Sequence, residues 1–155
     1  MRASGILMPI SSLPSPYGIG TMGQQARQFV DFLSQAGQAY WQILPVCPTS
    51  YGDSPYQSFS TYAGNPYFID LDTLAAQGLL KPKEYKHIDW QCTPEQINYG
   101  ALYEKRYAVQ RTACERLLAA PPADYRDFVR KNRFWLPDYA LFMALKDAHG
   151  GACWQ

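Results

Sequence analysis

The chain has 155 residues, 47% hydrophobic and 15% aromatic, with a formal net charge of +1. That length and apolar content suit one domain with a buried core, and lie far from the polar, highly charged composition that keeps chains disordered. A near-neutral chain has no general electrostatic hold on acidic partners. The absence of any lysine or arginine between Arg27 and Lys81 also argues against nucleic acid, whose phosphates need neutralising.

At the N-terminus, the apolar run ILMPI after Gly5 is too short and too proline-broken for a signal-peptide core or a membrane span. No membrane partner is expected, and the cytoplasm is the expected location. GILMPI (5–10) and WQILPV (41–46) are short apolar runs bounded by turn residues, which suits strands buried on both faces of a parallel sheet. Between them Ala26, Phe29, Val30, Leu33 and Ala36 recur at helical spacing, and Gly37 sits where a left-handed cap ends a helix. The pattern predicts a βαβ unit.

Beyond a long loop, YFIDL (67–71) reads as another short strand. Asp72 reads as the cap of a brief helix through Gln77 that Gly78 ends. Thr93-Pro94-Glu95-Gln96 has the form of a capping box and predicts a helix from there to about Ala119, where Pro121-Pro122 stops it. Further helices are predicted over 123–131 and 137–148, the second with an apolar stripe of Ala140, Leu141, Ala144, Leu145 and Ala148. Gly150-Gly151 closes it, and ACWQ reads as the start of a new element. Two or three strands cannot cover a parallel sheet or close a barrel, so the pattern suggests an incomplete α/β fold; a self-sufficient small α+β domain is the alternative.

Several candidate motifs resolve to ordinary readings. GIGTMG (18–23) matches G-x-G-x-x-G before a helix, yet SSLPSPY separates it from the strand, and no acid ends the second strand to hold a ribose. A flexible turn explains its glycines. Glycoside chemistry needs two carboxyl groups, but Asp53 is the only acid in the long loop, and Asp70 and Asp72 fall where helix capping is the usual role. Cys47, Cys92, Cys114 and Cys153 are scattered without a C-x-x-C pair, and His87 and His149 are isolated. The cysteines read as reduced packing residues; no metal, no cofactor and no serine–histidine–acid set is expected.

The informative stretch is TSYGDSPYQSFSTYAGNPY (49–67), within a loop spanning 47–67. Tyr51, Tyr56, Phe59, Tyr62 and Tyr67 offer flat apolar faces, and Ser54, Gln57, Ser58, Ser60 and Asn65 offer neutral hydrogen-bonding groups between them. A sugar ring has C–H patches that lie on aromatic faces and hydroxyls that need partners, and requires no formal charge. Pro55 and Pro66 restrict the backbone while Gly52 and Gly64 permit tight turns, so the rings can be held before a ligand arrives. Packing of individual tyrosines against the fold is the competing reading for each ring taken singly.

Three stretches, SGILMPISSLPSPYGIGTMG, AGQAYWQILPVCPTSYGDSPYQSFSTYAGNPYFIDLDTL and WLPDYALFMALKDAHGG, resemble the N-terminal portion of bacterial 4-α-glucanotransferases, the amylomaltases. The resemblance implies an α/β fold, a partial (β/α)8 TIM barrel: first βα units over 1–72, a mainly helical inserted subdomain over 73–133, and a returning, truncated helix over 134–155. It implies transfer of α-1,4-glucan segments to glucose or another glucan by a retaining double displacement, with α-1,4-glucans (maltooligosaccharides) as partners. By it Tyr56 lines the subsite of the transferred sugar and Tyr51 contacts glucan nearby. Asp53, Ser54 and Gln57 of the same motif shape the loop or support the contacts, and Asn65 fixes a turn. The family's three catalytic carboxylates come from later strands with no counterpart here, so the resemblance implies no catalytic residue in this chain and an inactive isolated piece. A non-catalytic glucan-binding module is the alternative.

Overall fold

The computed structural model describes residues 2–152. The expected new element at the C-terminus, and Cys153 with it, lies outside the described residues. The chain divides into two compact units, Met1–Arg116 and Leu117–Gln155.

The first unit opens with the expected βαβ arrangement. β1 (Gly5–Leu7) and β2 (Tyr40–Gln42) pair in parallel with Ile6 opposite Trp41, and α1 (Gln24–Gln35) connects them. The Ala39 amide donates to the Ser4 carbonyl and the Met8 amide to the Gln42 carbonyl, extending the pairing by a residue at each end. Helix α1 gives way to Gly37 at φ +68°, the left-handed position predicted for it. Its Ala26 joins Ile10 and Leu13 in a small core edged by Phe29, Trp41, Val46 and Phe68. Trp41 fixes this corner by donating its indole N–H to the Met8 carbonyl at 2.8 Å and meeting Phe29 edge-on.

Several expectations are corrected. The strands are not buried on both faces: Ile6 and Leu7 are exposed, as is Val30 of α1, because one helix cannot cover a two-stranded sheet. Tyr67–Leu71 is not a strand. Pro66–Phe68 forms a 3-10 turn in which the Asn65 side chain takes the Tyr67 amide and its carbonyl takes the Phe68 amide, leaving no ladder to form. Helix α2 (Leu71–Ala76) is capped by Asp70, which accepts from the Thr73 amide at 2.7 Å, and not by Asp72. Helix α3 (Tyr99–Ala119) begins at Tyr99. Thr93 closes a separate turn on the Glu95 and Gln96 amides, and Asn98 is the true cap, accepting from the Ala101 amide. That break lets Ile97 and Tyr99 both reach the core.

The larger core lies away from the sheet. Tyr17, Ile19, Tyr67, Leu71, Leu80, Tyr85 and Trp90 pack on the stripe Leu102, Val109 and Ala113 of α3. Arg106 occupies the same stripe and is fully buried. It donates to the Tyr17 carbonyl at 3.1 Å and the Ile69 carbonyl at 2.7 Å, with its guanidinium carbon 5.9 Å from the Trp90 ring centre. Burial pushes its pKa down to about 10, although the Asp70 charge opposes that shift. Around this centre, Asp72 accepts from the Tyr17 and Tyr85 hydroxyls, and Arg116 grips Glu84 with two bonds while also donating to the Leu79 carbonyl.

In the second unit, α4 (Ala123–Lys131) and α5 (Leu136–Ala148) follow the predicted spans closely. The turn between them is closed by Asn132, whose side chain donates to the Phe128 carbonyl and accepts the Trp135 indole N–H at 2.8 Å. The α5 stripe is exposed, with Leu141 and Leu145 uncovered. Cys114 is likewise exposed, so the packing role expected of it does not hold. No helix among the described residues is long and apolar enough to cross a membrane.

Replacing Arg106 with alanine removes the donors of two buried carbonyls and opens a void. The expected loss is about 3 kcal/mol or more, read as a lower urea midpoint at unchanged slope. Arg106→Lys, which cannot fork to both carbonyls, should recover only part of it. A midpoint for the alanine variant equal to that of the parent chain would show that the guanidinium holds nothing.

Candidate functional site

The long loop leaves the carboxyl end of β2 and returns through a narrow neck, where the Asn65 amide donates to the Val46 carbonyl at 2.8 Å. Further out, Thr49 and Ser58 form an antiparallel bridge and the Ser50 amide donates to the Gln57 carbonyl at 3.0 Å. Two tight turns sit back to back at the tip. In the first, the Asp53 amide closes on the Ser50 carbonyl, with Gly52 at φ +91°, where any other L-residue would be strained. In the second, the Gln57 amide closes on the Ser54 carbonyl, with Pro55 pre-setting the bend.

Tyr51 and Tyr56 occupy the middle positions of these two turns, so their rings project outward. Tyr51 is 100% and Tyr56 73% exposed. Gln57 is exposed beside them. The other two residues expected at the site serve the loop itself. Ser54 is half-buried and its hydroxyl accepts from the Tyr56 amide at 3.4 Å. Asp53 adopts φ +55° and accepts from the Thr49 hydroxyl at 3.3 Å; burial raises its pKa, and the Thr49 bond only partly offsets this.

The rest of the stretch divides between loop and core. Ser58 and Ser60 spend their hydroxyls inside the loop: the Ser58 hydroxyl accepts from the Ser60 amide, and the Ser60 hydroxyl from the Tyr62 and Ala63 amides. Asn65 is buried and holds its turn, so none of these three offers a free polar face outward. Tyr67 is not a surface ring. It is buried against the Tyr99 and Tyr107 rings at 6.0 and 5.6 Å, and burial pushes its hydroxyl well above the ordinary value.

The remaining candidates are accounted for by packing. A Cβ at Gly20 would overlap the Ile10 carbonyl and one at Gly23 the Asp70 carboxylate, so GIGTMG is a close-packing motif. The ground before α1, where a pyrophosphate would lie, is taken by Asp70. Burial disfavours the Asp70 anion, but bonds from Thr73 and Thr21 and the Arg106 charge prevail and hold its pKa below the usual range. With Asp70 capping α2 and Asp72 bonded to two tyrosines, neither is free for acid–base work. Among the described residues no group of His, Cys, Asp and Glu side chains is placed to hold a metal ion.

Sequence reasoning missed the residues behind the loop. Gln110 on α3 donates to the Pro66 carbonyl at 2.6 Å, one residue past the neck, and Arg106 holds Ile69. The available signal was a charge at position 106 within the apolar series 102, 109, 113.

A long aromatic loop after the carboxyl end of a parallel strand, on a βαβ unit, is the arrangement in which α/β proteins place their ligand-contacting loops. The chain belongs to the 4-alpha-glucanotransferase family, whose model matches residues 8–155. It is 49% identical over 148 residues to the 4-alpha-glucanotransferase of Clostridium butyricum, covering 96% of this chain and 30% of that protein. The Thermus thermophilus 4-alpha-glucanotransferase is 46% identical, covering 99% of this chain and 31% of the relative. A solved amylomaltase from Streptococcus agalactiae in complex with acarbose superposes with a TM-score of 0.93 at 45% identity, covering 98% of this chain and 31% of that one. The chain thus spans about 30% of the length of the curated relatives it matches.

Because the folded pKa of Asp53 is raised, its stabilising contribution is present when it is protonated and is lost as pH rises from the ordinary carboxylate value through the raised one. Asparagine cannot ionise and tolerates the left-handed backbone. Asp53→Asn should therefore match the parent chain in thermal stability near about pH 3 and exceed it near about pH 7. A parent chain more stable than the variant at neutral pH would mean that the anion itself is needed.

Proposed function

We propose that this chain forms the N-terminal part of a 4-α-glucanotransferase and supplies that enzyme with an aromatic surface for α-1,4-glucan. The observation that carries the reading is the outward presentation of Tyr51 and Tyr56 at the corners of two locked turns, in a chain of this family. The acarbose complex of the similar amylomaltase supports an oligosaccharide ligand. Tyr56 lines the subsite of the transferred sugar and Tyr51 contacts glucan beside it. Gln57 is exposed to offer a neutral polar group, while Asp53 and Ser54 hold the turns.

The fold reading that goes with this is the opening of a (β/α)8 barrel: first βα units over 1–72, a helical insertion over 73–133 and a returning helix over 134–155. A barrel of that type takes about 250 residues. The exposed faces of β1, β2 and α5 suit a chain whose covering layers come from elsewhere.

The reaction is a retaining double displacement. A carboxylate attacks the anomeric carbon as the glycosidic bond breaks, and an acid protonates the departing 4-oxygen. The 4-hydroxyl of an acceptor glucan then displaces the carboxylate, returning its proton to the acid's conjugate base. Of the acids near the loop, Asp53 is held in a turn, and Asp70 and Asp72 are engaged in the frame. In this reading the reacting carboxylates come from later strands of the whole enzyme, and this chain binds and orients glucan without catalysing.

A clean preparation of the 155-residue chain should give no glucose from maltotriose; robust release would overturn the assignment of the acids. Added maltoheptaose should shift the ring resonances of Tyr51 and Tyr56 and leave those of Tyr67 in place. Tyr51→Ala with Tyr56→Ala should abolish the maltoheptaose-induced shift of the exposed Gln57 side-chain amide while changing stability by less than about 0.5 kcal/mol for each exposed ring. Equal shifts at Tyr67, or none at the two exposed rings, would count against the reading.

A further inference from the structure

We propose that Gln110 and Arg106 of α3 are positioning residues that set the direction of the aromatic loop from behind, an inference that rests on the reading of Tyr51 and Tyr56 as glucan contacts. The two side chains are four residues apart, so they stand on one helix face separated by about 6 Å along the axis. Their acceptors, the carbonyls of Pro66 and Ile69, are three residues apart at the two ends of one 3-10 turn, also about 6 Å of rise. The helix and the turn therefore match in pitch: Gln110 pins the start of the turn at 2.6 Å and Arg106 its end at 2.7 Å.

Between the two pins, Tyr67 is buried against the α3 rings of Tyr99 and Tyr107, which gives the turn a third anchor. The first pin is one residue from the neck, where Asn65 bonds Val46. From there a ladder runs through Thr49–Ser58 and Ser50–Gln57 to the turns that carry the exposed rings. The neck and the outer bridge are thus the two cross-ties through which the heading of the turn at 66–68 reaches the tip. Holding binding groups in place beforehand spares a ligand the cost of ordering them.

Gln110 is the informative member of the pair, since it is neutral and only half-buried. Gln110→Met keeps length and apolar bulk but loses the donor; Gln110→Lys restores a donor. Two readouts on the 155-residue chain separate the claims. Without ligand, amide exchange at Asn65 and Ser50 should rise several-fold in Gln110→Met and return toward the parent rate in Gln110→Lys. With maltoheptaose, the apparent affinity read from the Tyr51 and Tyr56 ring shifts should fall by about fivefold in Gln110→Met, the equivalent of one hydrogen bond, and recover in Gln110→Lys.

Unchanged exchange in Gln110→Met, or a rise spread evenly over the chain, would overturn the positioning role even where maltoheptaose still binds. Exchange that rises only in the loop, in a parent chain whose rings ignore maltoheptaose, would instead uphold the pinning and remove glucan as the ligand.

Discussion

One buried cation holds the first unit together. Arg106 stands in the apolar stripe of α3 with no solvent contact, and taking such an ion out of water costs several kcal/mol. Two carbonyl acceptors, the face of Trp90 and the nearby Asp70 charge offset that cost, while its Nε has no hydrogen-bond partner among the described residues. What the arrangement secures is registry. Tyr17 and Ile69 lie 89 and 37 residues away in sequence, and a planar fork accepts them in one relative placement only. Apolar contact alone is non-directional and would allow those segments to slide.

Around that centre the charges are sorted by task. Asp70 caps α2 and borders Gly23, Asp72 takes the Tyr17 and Tyr85 hydroxyls, and Glu84 is paired with Arg116. These three acids are engaged in the frame, whereas the loop contains one, held in a turn where burial disfavours its anion. The outward surface is consequently aromatic and neutral. Such a surface suits a pyranose, whose C–H face is apolar and whose hydroxyls carry no charge, and gives phosphate or peptide carboxylate no counter-ion.

Much of this was legible in the residues, and the failures share a cause. The βαβ unit, the Gly37 cap and the spans of α1, α4 and α5 follow from periodicity and punctuation, which are local. Local signals also produced the errors: Thr93 has the chemistry of a cap and makes a cap-like turn, but Asn98 starts the helix because Ile97 and Tyr99 must reach the core. Asp72 resembles a cap and is diverted by two tyrosine hydroxyls from distant segments. The loop announced itself by composition. Its support from Gln110 did not, since nothing in a sequence shows that a side chain at 110 meets a carbonyl at 66.

The difference between Tyr67 and its neighbours Tyr51 and Tyr56 shows how one aromatic stretch is divided between core and surface. All three lie in one stretch of similar composition, yet one is sealed in the core and two face water. Tyr67 sits inside a 3-10 turn pinned to α3 at both ends, which leaves its ring only the Tyr99 and Tyr107 side to occupy. Tyr51 and Tyr56 sit at the middle positions of turns joined by the Ser50–Gln57 bond, and turning either ring inward would require breaking that bond or its turn closure. Their exposure is therefore set by the backbone hydrogen bonds of the two turns.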